Sequence, residues 1–393
     1  MIDDEPLVRD ETPLPELGVS VAYWGRGIDA TNVDLAVEAE SLGYSCAWAS
    51  EAYSSDANTT LAWIGARTTR IGLGAAVFQI PARSPAMTGM IATTIDRLSA
   101  GRFRLGLGVS GPQVSEGWHG VPFARPLGRT REYVEIVRQV IAGDNVRFDG
   151  SEYQLPLPGG AGKSLRLAHP PLRRHIPIYL GAVGQASLEL TGAVADGWLA
   201  AFFDPDTAAP ELTALARGRS RSPDPQRPFA ITPVVPLAID EDMDTAARRV
   251  APYCALYIGG MGSPDRNVYA DKAARLGYER EARQVQQHFL ARDYRKAAAA
   301  VPLELIDATS AIGPADRVVN RLRRFRQSGA TEVALVPMAP STSLRIDLLR
   351  QLAAAVDATK HAVTRATDLH RPTRNPPAHS VAAERSQTPS GPP

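Results

Sequence analysis

The residues of this chain that could carry chemistry stand at the ends of short apolar runs. Glu51 directly follows the run Ser45–Ser50. A carboxylate there can donate, accept or steer a proton, or it can be an exposed loop carboxylate. Ser110 follows the run Phe103–Val109 and can either hydrogen-bond a ring carbonyl or simply finish a strand. The stretch Gly181-Ala182-Val183-Gly184-Gln185-Ala186-Ser187 leads straight into a helix-period segment. Small residues before a helix let backbone N–H groups approach an anion such as a phosphate, though an ordinary tight turn has the same composition. Gly74-Ala75-Ala76-Val77 is a second narrow place, where a flat ring could rest on the backbone or where elements could pack closely. Other polar or aromatic residues at run ends are Trp24, Arg26, Asp56, Gln79, Gln113, Glu116 and Asp204. The seven histidines are scattered, with none paired at i, i+4 on a helix, so no metal site is expected. No Gly-x-Ser-x-Gly elbow is present, which points away from a hydrolase.

Positioning these residues falls to a repeated pattern of strand and helix. The central stretch, Ile71 to Gly120, reads as strand, helix, strand, with both strands apolar on two faces as in a parallel sheet covered on both sides. Further strands are expected at Leu17–Trp24, Ser45–Ser50, Ile176–Leu180, Gly197–Phe203, Phe229–Ile239 and Thr331–Pro337, each followed by a helix. Eight such units predict an α/β fold, a (β/α)8 TIM barrel with its site at the carboxyl ends of the strands. A doubly wound open sheet is the rival. It lacks support because Tyr23-Trp24-Gly25-Arg26-Gly27 stands where a Gly-x-Gly-x-x-Gly turn would be needed. The Gly- and Pro-rich segment Gly143–His175 is expected to be a lid loop, with a small hairpin at Phe148–Leu155. A helical insertion is expected from about Asp265 to Ala300. The chain thus divides into a flexible N-terminus over 1–16, the barrel over 17–360 and a tail over 361–393 whose composition predicts disorder.

Charge and composition narrow the function further. Lys plus Arg number 43 and Asp plus Glu 42, so no overall field favours nucleic acid or an anionic membrane. Cys46 and Cys254 lie in apolar settings and read as small buried hydrophobes rather than as a disulfide framework. The acidic start lacks a signal-peptide core, and no window approaches the ~20 apolar residues of a membrane helix. A soluble, cytoplasmic protein is expected.

With these residues placed, the chain resembles the luciferase-like monooxygenase superfamily, and within it the branch of deazaflavin-dependent oxidoreductases. The motifs that carry the resemblance, in order, are LGYSCAWASEAYSSDA (42–57), LGAAVFQIPARSPAMTGM (73–90), DRLSAGRFRLGLGVSGPQVSEGWHGVPF (96–123), RTREYVEIVRQVIAG (129–143), IPIYLGAVGQ (176–185), ADGWL (195–199) and GPADRVVNRLRRFRQSGATEVAL (313–335). The resemblance implies a (β/α)8 barrel that binds coenzyme F420, with FMN as the alternative cofactor. It implies that Gly74, Ala75 and Ala76 lead into a bulge, often with a non-proline cis peptide, under the middle ring. Ser110 and Gly111 would face the pyrimidine side, and Gly181, Ala182, Val183, Gly184 and Gln185 the phosphate tail. Trp24 joins this set as a cofactor contact, and Glu51 occupies the acidic position after the second strand.

Three departures from the family pattern bear on the reaction. Ala52 stands where the sugar-phosphate dehydrogenases resemble one another in having histidine, and Gly111-Pro112 where they have a glutamate close after the fourth strand. The phosphate turn carries neutral Gln185, Ala186 and Ser187 in place of a lysine. A glucose-6-phosphate dehydrogenase role is therefore not expected. The resemblance implies hydride transfer between F420 and a small organic substrate, with Glu51 relaying a proton and Ser110 polarising the ring carbonyl. A reduced-FMN monooxygenase and a non-catalytic cofactor-binding barrel are the alternatives, and a homodimer is the expected assembly. Phe78, Trp118, Phe202 and Phe203 could line an apolar pocket or belong to the core.

Overall fold

The computed structural model describes residues 12–21, 31–53, 55–263, 266–369 and 391. Eight parallel strands form the barrel: β1 (Glu16–Val21), β2 (Cys46–Ala49), β3 (Gly72–Ala75), β4 (Phe103–Gly108), β5 (Ile178–Gly181), β6 (Gly197–Ala201), β7 (Ala230–Ile239) and β8 (Glu332–Pro337). Each pairs with its neighbours in chain order. The ring closes where Glu16 of β1 stands opposite Glu332 of β8 and where Ala230 of β7 stands opposite Gly197 of β6. The fold expected from the alternation of strands and helices is the one observed.

Two-residue periodicity sorts the strands into an inner and an outer face. On β4, Phe103, Leu105 and Leu107 are fully buried in the outer core. The alternate residues Arg104, Gly106 and Gly108 face inward. Arg104 makes an ion pair there with Glu332, whose other carboxylate oxygen accepts from Trp48 Nε1 at 2.5 Å. The Trp48 indole meets Tyr179 edge to face at 5.3 Å and fills the barrel interior. A β-carbon at Gly74 would collide with that indole. The smallness of Gly74 therefore accommodates Trp48.

The helical insertion is present as Val268–Arg275, Glu279–Leu290, Tyr294–Ala299 and Leu303–Thr309, packed with the helix Met243–Gly260 around a second apolar cluster. The segment expected to be a lid carries the expected small hairpin and is tied to the helices around the barrel. Its hairpin, Phe148–Asp149 with Gln154–Leu155, is tied to helix Pro126–Ala142 through Glu132, which accepts from the N–H groups of Ser151, Glu152 and Tyr153. Farther along, Arg173 pairs with buried Asp96 and donates to the Phe103 carbonyl at the start of β4. Ion pairs fix both parts of this segment: Glu152 of the hairpin with Arg125 and Arg129 at the start of helix Pro126–Ala142, and Arg173 with Asp96 near the start of β4.

The last helix runs Thr342–Leu369 and so includes residues 361–369, which composition placed in the tail. No proline interrupts the helix before Pro372. The rest of the expected tail over 370–390 and 392–393, and residues 1–11 of the expected flexible N-terminus, lie outside the described residues. Among the described residues no helix is long and apolar enough to cross a membrane.

Candidate active site

At the carboxyl end of β3 the chain does not continue as a regular strand. The Ala76–Val77 peptide is cis, at the place where the family resemblance implies a bulge. Pairing with β4 then resumes at Phe78–Gln79, with Phe78 opposite Leu107 and Gln79 opposite Gly108. The Val77 side chain lies across the neighbouring strand ends. A β-carbon at Gly108 would collide with Val77 Cγ2, and one at Gly181 would touch Val77 Cγ1 at 3.4 Å. Closure of the barrel thus brings the ends of β3, β4 and β5 together around Val77. Just beyond β4, Ser110 has φ +62°, an unusual backbone setting for a residue with a side chain. Gly111 then caps the short helix Pro112–Gly117.

Glu51 is held fast beneath this bulge. It accepts from Arg83 Nη1 at 2.8 Å and Arg83 Nη2 at 2.7 Å, from the Gln79 N–H at 3.0 Å and from the Ala57 N–H at 3.3 Å. Its side chain is only 5% exposed, so the exposed-loop alternative does not describe it. Burial works to lower the pKa of Arg83, but the bond and charge of Glu51 outweigh it and hold the guanidinium above its ordinary value. Arg83 also lies 4.7 Å over the Phe78 ring.

Above the bulge, His119 Nε2 and Gln79 Oε1 are 2.7 Å apart. Arg83 and His119 were missed as site residues in the sequence. Arg83 is separated from Glu51 by 32 residues and His119 from Gln79 by 40, so no local spacing marks either pair. The GWHG run around His119 was the one usable signal, and only as part of the family motif.

On β5 the expected phosphate turn is well ordered by its neighbours. Trp198 Nε1 donates to the Ala182 carbonyl at 2.9 Å, and Ser187 Oγ donates to the Gly184 carbonyl at 2.7 Å. Gly184 caps the helix Gln185–Val194 without a side-chain bond to its first turn. The N–H groups of such a turn are suited to an anion. The turn, the bulge and Ser110 all lie at one end of adjacent strands β3, β4 and β5. Trp24 lies outside the described residues.

Across the mouth, the ends of β1, β2, β7 and β8 open on a cavity of roughly 280 Å³, with Ser20, Ser50, Val234, Tyr253, Tyr257 and Met338 in its lining. Phe202, at φ +51°, stacks with Tyr253 and meets Tyr257 edge to face at 5.6 Å. Burial pushes the Tyr257 phenol well above its ordinary value and raises that of Tyr269, which meets Tyr257 at 4.8 Å, to about 12. These groups stay neutral near pH 7. Of the four aromatic pocket candidates, Phe202 belongs to this cluster. Phe78 and Phe203 are buried in the outer core and Trp118 is exposed. Among the described residues no cluster of three or more His, Cys, Asp or Glu side chains could hold a metal ion.

Comparison with known proteins agrees with this architecture. Residues 28–332 match the profile of the luciferase-like monooxygenase family. The Mycobacterium tuberculosis protein named "Putative coenzyme F420-dependent oxidoreductase Rv3520c" is 40% identical over 349 residues, covering 87% of this chain and 99% of its own length. A 5,10-methylenetetrahydromethanopterin reductase of Archaeoglobus fulgidus is 29% identical over 317 residues, covering 79% of this chain and 91% of its own. The solved coenzyme F420-dependent tetrahydromethanopterin reductase of Methanopyrus kandleri shares the fold, with a TM-score of 0.72 at 23% identity over 86% of this chain and 97% of that one.

Proposed function

Because the chain belongs to the luciferase-like monooxygenase family, we propose that it is an F420-dependent oxidoreductase that moves a hydride between the coenzyme and a small organic substrate. The observation that supports this reading is Val77, spread over Gly108 and Gly181 where β3, β4 and β5 end, in a chain 40% identical to a protein named as F420-dependent. The residues present fit the coenzyme. A flat ring system needs a firm, side-chain-poor floor, and Ala75, Ala76 and Val77 supply one. A phosphate is held by backbone N–H groups at a helix start, and the turn ending in Gly184–Gln185, where no side chain bonds the first helical turn, would offer them.

The coenzyme supplies a carbon centre that donates or accepts hydride without the oxygen chemistry of a flavin. What remains for the protein is to hold, orient and shield. Ser110 and Gly111 would meet the pyrimidine edge, with the Ser110 hydroxyl donating to a ring carbonyl. Glu51, saturated by four donors, is assigned to holding the bulge through Gln79 and Arg83 rather than to carrying a proton. The substrate would enter from the cavity at the ends of β1, β2, β7 and β8, against the aromatic wall of Phe202 and Tyr253. We also propose a homodimer. Trp63 on helix Ala57–Arg67 and Met87 and Met90 on the adjoining helix Pro85–Leu98 are exposed apolar side chains that a second copy would cover.

The test is titration of the purified protein with F420 and, separately, with FMN, followed by fluorescence quenching. Tight F420 binding with weak FMN binding is expected, together with F420 reduction or reoxidation across a panel of alcohols, enones and imines. Preference for FMN, with oxygen consumed once the flavin is reduced, would overturn the reading in favour of a monooxygenase.

A further inference from the structure

We infer that the substrate of this site is an organic anion, an apolar body ending in a carboxylate or a phosphate, and that Arg248, Arg249 and Arg345 are the residues that select it. This inference deepens the F420 reading above and rests on it. The cavity of roughly 280 Å³ across the mouth is built in two tiers. Its floor comes from strands: Ser20 stands opposite Trp48, which fills the barrel interior, and Val234 packs on the cluster that contains Trp48. Tyr253 and Tyr257 add an aromatic wall. The rim comes from the helices Met243–Gly260 and Thr342–Leu369, which follow β7 and β8, and there the lining changes from apolar to cationic.

Three arginines line the cavity, and among the described residues no Asp, Glu or Lys side chain does. The backbone at the strand ends ties two of them down. Arg249 Nη1 donates to the Ile239 carbonyl at 3.1 Å, and Arg345 Nε donates to the Ala339 carbonyl at 3.1 Å. A guanidinium held in this way loses less freedom when a ligand binds. Two carboxylates stand nearby, outside the lining. Asp240 accepts from Arg249 Nη2 at 2.6 Å, and Asp242 lies 3.5 Å from Arg248 Nη2 in a pair whose side chains are 69% and 61% exposed. Solvent screens such an exposed pair, so it takes little from the field of the rim. A cationic substrate would be repelled there, and a purely apolar one would leave the rim unused. An anion joined to an apolar body matches both tiers, because guanidinium forks bind carboxylate and phosphate oxygens in pairs.

The experiment is calorimetric titration of the full-length protein, with and without F420. The probes are hexanoate, 3-phenylpropanoate and hexyl phosphate, set beside hexanamide and 3-phenylpropanamide. At least one anion is expected to bind about tenfold more tightly than the amide of the same body, and added salt should erode the difference. Arg248→Gln and Arg345→Gln are each expected to weaken anion binding about fivefold while leaving amide binding unchanged, and Arg248→Lys is expected to retain most of the affinity. A merely structural role would move anion and amide alike. The stronger of hexanoate and hexyl phosphate names the anion. Equal affinity for anions and amides, binding of none of the anions, or wild-type selectivity in both glutamine variants would overturn the inference. Should Arg345→Gln not fold, the exposed Arg248 decides. F420 binding is read separately by fluorescence quenching. If F420 binds and anions are not preferred, this inference alone falls; if F420 does not bind, the coenzyme reading fails and the substrate assignment falls with it.

Discussion

Val77 occupies the space that Gly108 leaves by having no side chain, so the floor of the candidate site is built from a residue of one strand end and an absence on the next. That relationship ties the shape of the site to the packing of the barrel. It also makes the site sensitive to single atoms.

Gly108→Ala should therefore act on binding and stability together. One methyl group has to displace Val77 or the backbone of β4, at a cost of about 1–3 kcal/mol. A lower melting temperature and at least tenfold weaker F420 binding are expected. A variant with wild-type values in both measurements would show that Val77 is not the floor of the site.

Glu51→Gln separates two roles for this carboxylate. The substitution leaves the Arg83 guanidinium buried beside a neutral amide, and loss of one partner of such a pair costs about 3–5 kcal/mol. If Glu51 holds the bulge, F420 affinity and melting temperature fall together. Normal binding with turnover alone reduced would return Glu51 to the role of proton relay.

A third prediction concerns acid stability. Burial acts to raise the Glu40 pKa, but bonds from the N–H groups of Ile71, Arg70 and Thr69 outweigh it and hold the carboxyl below its ordinary value of 4.5. A depressed pKa contributes stability that is fully present above the unfolded value and is lost as pH falls through the folded one. The stability of the wild type against urea should fall in the range below about pH 4.5, and Glu40→Gln should flatten that part of the curve while lowering stability at neutral pH by about 1–2 kcal/mol. Parallel acid limbs for the two proteins would count against this source.

The proposed dimer is open to a direct mass measurement. Trp63→Lys combined with Met90→Lys places charge on both exposed helices, and light scattering after gel filtration should give a dimer for the wild type and a monomer for the double variant. A monomeric wild type would remove the proposal.

The barrel was legible because hydrophobic periodicity is a local property. The runs Phe103–Val109 and Ile176–Leu180, and the helix signals between them, carry their meaning within a few residues of chain. The resemblance motifs likewise located the bulge at Gly74–Val77, where the cis peptide is found. For the segment 143–175, composition shows that it is a loop and not what it is tied to. Bonds from Arg173 to Asp96 and to the Phe103 carbonyl decided that. Residues 361–369, which composition placed in the tail, continue the last helix, since low hydrophobicity does not stop a helix that no proline interrupts. Only tertiary structure could pair Glu51 with Arg83, Gln79 with His119 and Val77 with Gly108. Each pair is brought together by barrel closure or by a loop folding back over a strand end, and contacts of that kind have no period in the sequence to announce them.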